Sequence, residues 1–263
     1  TGSEWVLKID DYAQLSAAHE RIQNGLGAAR QSSAAPSYLA QQYLRGREFG
    51  VDFFIEGQRL RVLRLCEKYL VEAPDQTGQV GAYYFPRLSQ RLRRLIQETL
   101  RRAAQALDIQ RGLVMADLIL VDDQIYLLEM APRPGGDCLP DLCRAALGYD
   151  PISTACDIAR GIAPRAHWPR PYQPLCALHL MSTSSGRIER MDFSALLAHP
   201  SLFKLIEAYH EPGETLRSWA GNYEDRIIAS CLARYSTPSE LPHLWRELSS
   251  LVHIEFAAAK EIN

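Results

Sequence analysis

Leu113–Val121 and Gln124–Met130 are two strand-like runs separated only by Asp122-Asp123, a spacing that turns the chain back on itself as a tight antiparallel hairpin. Period-2 alternation sets Asp117 on the face opposite Leu118 and Leu120, while Glu129 stands among Leu127, Leu128 and Met130 on the return strand. With the turn at 122–123, positions 117 and 129 lie almost opposite each other. Two carboxylates so placed repel. Either each is solvated or salt-bridged, or a hard cation such as Mg²⁺ sits between them and completes its shell with water and phosphate oxygens. Directly after Glu129 and Met130-Ala131 comes Pro132-Arg133-Pro134-Gly135-Gly136, a stiff, open backbone that brings N–H groups and one guanidinium to the strand end. This is either a plain turn or a seat for an anionic ligand.

The rest of the composition narrows the class. A chain of 263 residues with 47% apolar and 23% charged residues can bury a sizeable core, in one or two domains. Its net charge of −2 gives no reason to expect nucleic acid or a membrane surface as partner. No apolar run approaches the roughly 18 residues needed to span a bilayer, and the N-terminus lacks the layout of a signal peptide. Cys66, Cys138, Cys143, Cys156, Cys176 and Cys231 form no zinc spacing, so the expectation is a cytoplasmic protein without disulfides.

Along the chain, a Gly2-Ser3 turn leads into a short strand ending near Ile9, and Asp10 or Asp11 caps a helix that Asn24-Gly25 stops. Residues 25–37 read as a small-residue connector. Tyr38–Leu44 and Glu48–Ile55 read as strands about an Arg45-Gly46-Arg47 turn, and Glu56-Gly57 turns into a further strand, Arg59–Leu65. Gln76–Tyr84 reads as a Gly-containing loop. Ser89 caps an amphipathic helix to Leu107, with Leu92, Leu95, Ile96, Leu100 and Ala103 inward and arginines outward, a solvated face rather than a nucleic-acid one. Leu139–Leu147 and Pro151–Arg160 read as helices. Asp137 either caps the first of them or holds a substrate amine. After the proline-dense stretch 164–174 come strands near 175–182, 204–209, 226–233 and 252–256, with helices near 193–198 and 238–251. The histidines lack ligand spacing, and His179 and His253 read as core residues within apolar strands.

Glu129-Met130-Ala131-Pro132-Arg133-Pro134-Gly135-Gly136, behind a hairpin that carries Asp117, resembles the metal-binding hairpin and phosphate loop of the ATP-grasp ligases, whose pattern is an acidic or amide residue followed by Glu-x-Asn-x-Arg. Ala131 stands where the family has Asn, which puts the second metal contact in doubt. The resemblance implies an α+β ATP-grasp fold built on an antiparallel sheet flanked by helices. It implies ATP and Mg²⁺ (or Mn²⁺) as cofactors, with Asp117 and Glu129 as metal ligands and Arg133 as a contact to the transferred phosphoryl group. Gly135, Gly136 and Asp137 fall beside the substrate. Gln41-Gln42-Tyr43-Leu44-Arg45-Gly46-Arg47-Glu48 is similar to the family's hinge, which implies that Gln41 and the Tyr43–Leu44 backbone meet the adenine edge and Glu48 the ribose. Gly2 and Ser3 would belong to the phosphate-covering lid loop. Lys68-Tyr69-Leu70-Val71-Glu72-Ala73-Pro74 resembles a segment of biotin carboxylase, a member of the same superfamily, whose lysine faces the reacting carboxylate or phosphate. Lys68 has that catalytic role or is a solvated surface lysine.

On this resemblance residues 1–37 are the remnant of a lid subdomain, 38–163 the central nucleotide and metal domain, and 164–263 a smaller C-terminal α+β subdomain packing on it. The chain would be the C-terminal part of a longer protein. The implied activity is ATP-dependent ligation of a small-molecule carboxylate to an amine, of the amino-acid ligase kind, through an acyl-phosphate. Bicarbonate carboxylation and a degenerate, non-catalytic nucleotide-binding module are the alternatives. Homodimers are common in the family.

Overall fold

The computed structural model describes residues 7–28, 39–73, 76–164, 171–182, 184–216 and 226–257. Helix α1 (Tyr12–Ala28) is followed by strands β1 (Arg47–Glu56), β2 (Arg59–Ala73) and β3 (Gln76–Tyr84), helix α2 (Gln90–Ala106), and the hairpin β4 (Arg111–Val121) and β5 (Gln124–Ala131). Helices α3 (Leu139–Leu142) and α4 (Pro151–Ala159), strands β6 (Leu175–Met181) and β7 (Gly186–Asp192), and helix α5 (Ser194–Leu197) come next. Strands β8 (Leu202–Ala208), β9 (Thr215–Leu216) and β10 (Ile227–Arg234), helix α6 (Leu241–Ser250) and strand β11 (His253–Phe256) complete the order. Eight strands form one sheet in the order β5-β4-β1-β2-β3-β6-β10-β8, and β11-β7-β9 form a second. Every neighbouring pair in the large sheet is antiparallel, so the fold is α+β on an antiparallel sheet.

The sheet has two chemically different faces because its strands alternate. Phe49, Val51, Phe53 and Ile55 of β1 point to one side, where Val114, Ala116 and Leu118 of β4 join them. Helix α2 covers this side with Ile96, Leu100 and Ala104, all fully buried. Its start is fixed by Ser89, whose Oγ accepts the Leu92 N–H at 3.2 Å. Ile96 and Leu100 each contribute roughly 1.5–3 kcal/mol by leaving water. Helix α6 does the same for the other half of the sheet, packing Leu241, Leu244, Trp245 and Leu248 on β6 and β10. The opposite side of β1, β2 and β4 carries Glu48, Gly50, Asp52, Arg64, Lys68 and Asp117, and only part of it is roofed, by α3 and α4.

Several local expectations give way. Helix α1 runs through Asn24-Gly25 to Ala28, since one glycine costs only about 1 kcal/mol of helix propensity. Leu7–Asp10 and Leu39–Arg45 lie outside any strand, because strand propensity needs a ladder partner. Gln76–Tyr84 is not a loop but strand β3. Its Gly81 is required by packing: a Cβ there would stand 2.5 Å from Val71 Cγ2 and 3.1 Å from the Trp245 indole nitrogen. The helix expected to Leu147 changes pitch into one π turn, Cys143–Leu147, which Gly148 ends in the left-handed region at φ 70°. His253 is exposed, not core, because β11 is a short strand of the small sheet with alternating burial. The six cysteines are free thiols, five of them buried. Among the described residues no helix is long and apolar enough to cross a membrane.

Candidate active site

The hairpin turn consists of two aspartates with positive φ, 45° at Asp122 and 65° at Asp123, the backbone that a two-residue loop between twisted strands demands. Gln124 therefore pairs with Val121 and the ladder runs in that register to Leu118 and Leu127; a bulge that leaves Leu128 over then shifts it by one residue and makes Asp117 and Glu129 direct partners. On its other side Asp117 pairs with Gly50 of β1. A Cβ on that glycine would lie 3.3 Å from Arg64 Nη1 and 3.4 Å from Asp117 Oδ1, a close fit beside the two charged groups.

Lys68 reaches across from β2. Its ammonium donates to Asp117 Oδ2 at 2.7 Å and lies 3.8 Å from Glu48 Oε2. The lysine side chain is only 9% exposed, so it is not a solvated surface lysine. Burial pushes the Glu48 carboxyl above its ordinary value, the Lys68 charge pulls it back and Asp117 pushes it further up. Three acids and one ammonium thus share a partly dry strip of sheet: Glu48, Asp117 and Glu129 with Lys68 among them. Glu129 and Arg133 are exposed, and Arg133 Nη1 donates to the Pro134 carbonyl at 3.0 Å.

Behind this strip lies a pair that hairpin and loop patterns do not reveal. Arg64 is fully buried and Asp52 is 1% exposed. Nε and Nη2 of the guanidinium donate to the two Asp52 oxygens at 2.9 and 2.8 Å, and Nη1 donates to the Gly50 carbonyl at 3.0 Å. Asp52 Oδ1 also accepts the Gly135 N–H at 3.0 Å. Desolvation opposes the guanidinium charge, yet Asp52 holds the Arg64 pKa well above the ordinary arginine value. The available signal was two charges, in Gly50-Val51-Asp52-Phe53 and Leu63-Arg64-Leu65, at strand positions where apolar residues surround them.

The loop then enters α3. Asp137 has φ 53° and does not cap that helix: the Leu139 N–H goes to the Gly136 carbonyl at 3.1 Å, and no side chain makes a cap bond. Asp137 is instead exposed at the loop end. Next to it Cys138 Sγ sits 3.4 Å from His179 Nε2, and Tyr83 meets the His179 ring edge-on at 5.8 Å. Burial lowers the His179 pKa although Asp137 opposes this. Strand β6, from the C-terminal part of the chain, therefore supplies one wall beside the loop.

Of the residues expected at the hinge, Gln41 and Tyr43 are exposed and Leu44 is half-buried, immediately ahead of β1. Lys8 Nζ lies 5.5 Å above the Tyr43 ring. Gly2, Ser3 and Pro74 lie outside the described residues. Among the described residues no group of three or more His, Cys, Asp or Glu could hold a metal ion, and Ala131 offers no side-chain donor. Two facing carboxylates are nonetheless the donor set of Mg²⁺ held jointly with phosphate oxygens and water, so the residues fit an ion that arrives with a nucleotide.

Comparison with known proteins agrees with this fold. A family model described as an ATP-grasp domain matches residues 2–137, more than half of the chain. The L-amino acid ligase of Bacillus licheniformis superposes with a TM-score of 0.77 at 17% identity, over 96% of this chain and 62% of that one. Phosphoribosylglycinamide synthetase from Anaerococcus prevotii superposes with a TM-score of 0.63 at 17% identity, over 82% and 55%. The carbamoyl phosphate synthase large chain of Agathobacter rectalis is 25% identical over 114 residues, 43% of this chain and 11% of that protein. The chain thus spans less than two thirds of each of these relatives.

Proposed function

Because the chain belongs to the ATP-grasp family, we propose that it forms the nucleotide-binding and phosphoryl-transfer part of an ATP-dependent ligase that joins a small-molecule carboxylate to an amine through an acyl-phosphate. The reading rests above all on the cross-strand pair Asp117 and Glu129, with Lys68 at 2.7 Å from the first and the Arg133 loop following the second. In this reading Asp117 and Glu129 hold Mg²⁺ or Mn²⁺ together with the nucleotide phosphates. When bound, the ion neutralises phosphate charge and draws electron density from the reacting phosphorus.

The chain's own residues account for the rest. The hinge from Gln41 to Leu44 offers backbone N–H and C=O groups to an adenine edge, and Glu48 offers a carboxylate to ribose hydroxyls. Lys68, held among carboxylates, and Arg133, at the mouth of the glycine loop, supply positive charge to the equatorial phosphoryl oxygens. A substrate carboxylate oxygen attacks the γ-phosphorus, the bond to the β-phosphate oxygen breaks, and ADP leaves. An amine then attacks the acyl carbon, phosphate departs, and the amine gives up a proton. Gly135, Gly136 and Asp137 flank the place where these groups meet, and the exposed Asp137 suits an ammonium. The buried wall of Cys138, His179 and Tyr83 keeps water from one side of the acyl-phosphate.

Calorimetry on the intact protein tests this. Micromolar ATP binding that requires Mg²⁺ and disappears in Asp117→Ala/Glu129→Ala supports the assignment, and amino acids can then be screened for phosphate release. Binding that ignores both carboxylates, or no binding at all, points to a fold without its chemistry.

A further inference from the structure

The Arg64–Asp52 pair takes no part in the chemistry above, yet it is among the most deeply buried charge on the polar side of the sheet. Three of its four bonds stay within β1 and β2. The fourth, from the Gly135 N–H to Asp52 Oδ1 at 3.0 Å, spans 83 residues of sequence and ties the glycine loop to the sheet interior. The fit is tight: a Cβ on Gly135 would stand 2.6 Å from Arg64 Nη2 and 3.2 Å from Asp52 Oδ1, whereas one on Gly136 would meet nothing within 4 Å. Gly135 is thus pressed onto the pair while Gly136 and Arg133 remain open.

We infer that Asp52 is a positioning residue for phosphoryl transfer. Its carboxylate, oriented by the Arg64 fork, anchors Gly135 so that Arg133 on one side and the Gly136 N–H on the other face the terminal phosphate of ATP. The same guanidinium holds the Gly50 carbonyl, and Gly50 is the register partner of Asp117. One buried group thereby sets the spacing between the metal-side carboxylate and the phosphate-side loop, a distance on which transfer rates depend steeply. This deepens the ligase reading and rests on it for the identity of the anion.

Three forms of the intact protein decide the matter: wild type, Asp52→Leu/Arg64→Met, and Asp52→Asn/Arg64→Gln. Replacing a buried ion pair by apolar groups of similar size commonly preserves the fold, and the amide pair keeps an oxygen facing Gly135. Amide hydrogen exchange reads the anchor directly, and calorimetry with Mg-ATP and Mg-ADP reads its effect on the terminal phosphate. The apolar pair is expected to speed Gly135 exchange about 100-fold while the Val51 and Leu118 amides stay protected. It should also reduce the preference for ATP over ADP about tenfold with ADP affinity unchanged. The amide pair restores both to within about threefold. Unchanged Gly135 exchange in the apolar pair overturns the proposal, as does an equal loss of ATP and ADP affinity. A wild type that binds neither nucleotide defeats the ligase reading instead, and the exchange of Gly135 then decides by itself whether Asp52 anchors the loop.

Discussion

Arg64→Met strands the Asp52 carboxylate in a dry interior, and the bond geometry sets the size of the effect. Three charge-assisted or buried bonds vanish, at 2.8, 2.9 and 3.0 Å, and Asp52 keeps only the Gly135 N–H. Each bond to a charged group contributes about 1.5–3 kcal/mol, but the stranded carboxyl escapes part of the loss by taking up a proton. The expected cost is therefore about 3–5 kcal/mol, the range for breaking one side of a buried pair. For a chain of this size that lowers Tm by roughly 6–20 °C. The proton uptake gives the effect a pH signature. Asp52 in the variant binds its proton more tightly folded than unfolded, so the destabilisation is largest at neutral pH and shrinks toward acid. Asp52→Leu alone should cost a similar amount by stranding the guanidinium. The double variant should return to within about 1–3 kcal/mol of wild type, the residue being the unsatisfied Gly135 N–H. Urea titration of the four forms closes the double-mutant cycle. If Arg64→Met costs under about 1 kcal/mol, or if the double variant costs the sum of the singles, the pair is not the buried, mutually dependent unit described above.

Gly135→Ala should destabilise by about 1–3 kcal/mol, since its Cβ would stand 2.6 Å from a guanidinium that has nowhere to move, while Gly136→Ala should leave the denaturant midpoint unchanged. Equal midpoints for the two variants would contradict the packing. His179 is buried with its pKa lowered from 6.5 by desolvation, so below that value the unfolded chain takes up a proton that the folded one refuses. Stability should fall as pH drops from about 6.5 through the depressed value, and His179→Asn should flatten this part of the stability–pH curve. Thiol titration of the native protein should show one fast group, the exposed Cys156. Burial pushes Cys66 to about 11 and Cys143 and Cys176 to about 12, so their thiolates are scarce as well as inaccessible. Fast reaction of more than one thiol would mean that the core opens readily.

How much of this the sequence disclosed depended on whether the signal was local. The bulge at Leu128 that makes Asp117 and Glu129 direct partners carried no local signal, but the hairpin was legible in outline, because a two-residue turn fixes the register from Val121–Gln124 to Leu118–Leu127. Helix α2 was legible for the same reason, having a Ser89 cap and a 3.6-residue apolar stripe. Strand β3 was not: Gly78 and Gly81 read as loop residues, and only the packing of Val71 and the distant Trp245 against Gly81 explains why it belongs in a strand. Leu39–Arg45 misled in the opposite sense, showing strand-like residues with no ladder to join. Strands β7 and β9 are held in a small separate sheet whose members are far apart in sequence, and their alternation is weak. The candidate site divides in the same way. Its carboxylates, Arg133 and the glycine loop were readable as motifs, whereas Asp52, Arg64, Cys138 and His179 meet only through long-range packing.

The two halves of the large sheet meet along a short seam. Strand β3 and strand β6 share just two register pairs, Ala82 with Leu178 and Tyr83 with Ala177. Strands β5, β4, β1 and β2 lie on the β3 side of that seam with the carboxylates, while β6, which brings His179 to the wall behind the loop, lies on the other with β10 and β8. Such a junction is a natural crossover point for recombination. A tail from a relative can be grafted after the proline-rich stretch if it presents small and aliphatic residues at positions 177 and 178 and keeps a partner for Cys138. Chimeras built there would vary the wall beside Asp137 while leaving Asp117, Glu129 and the Asp52 anchor untouched. On the proposed ligase reading, such chimeras would change the substrates to be joined while leaving the phosphate-handling residues in place.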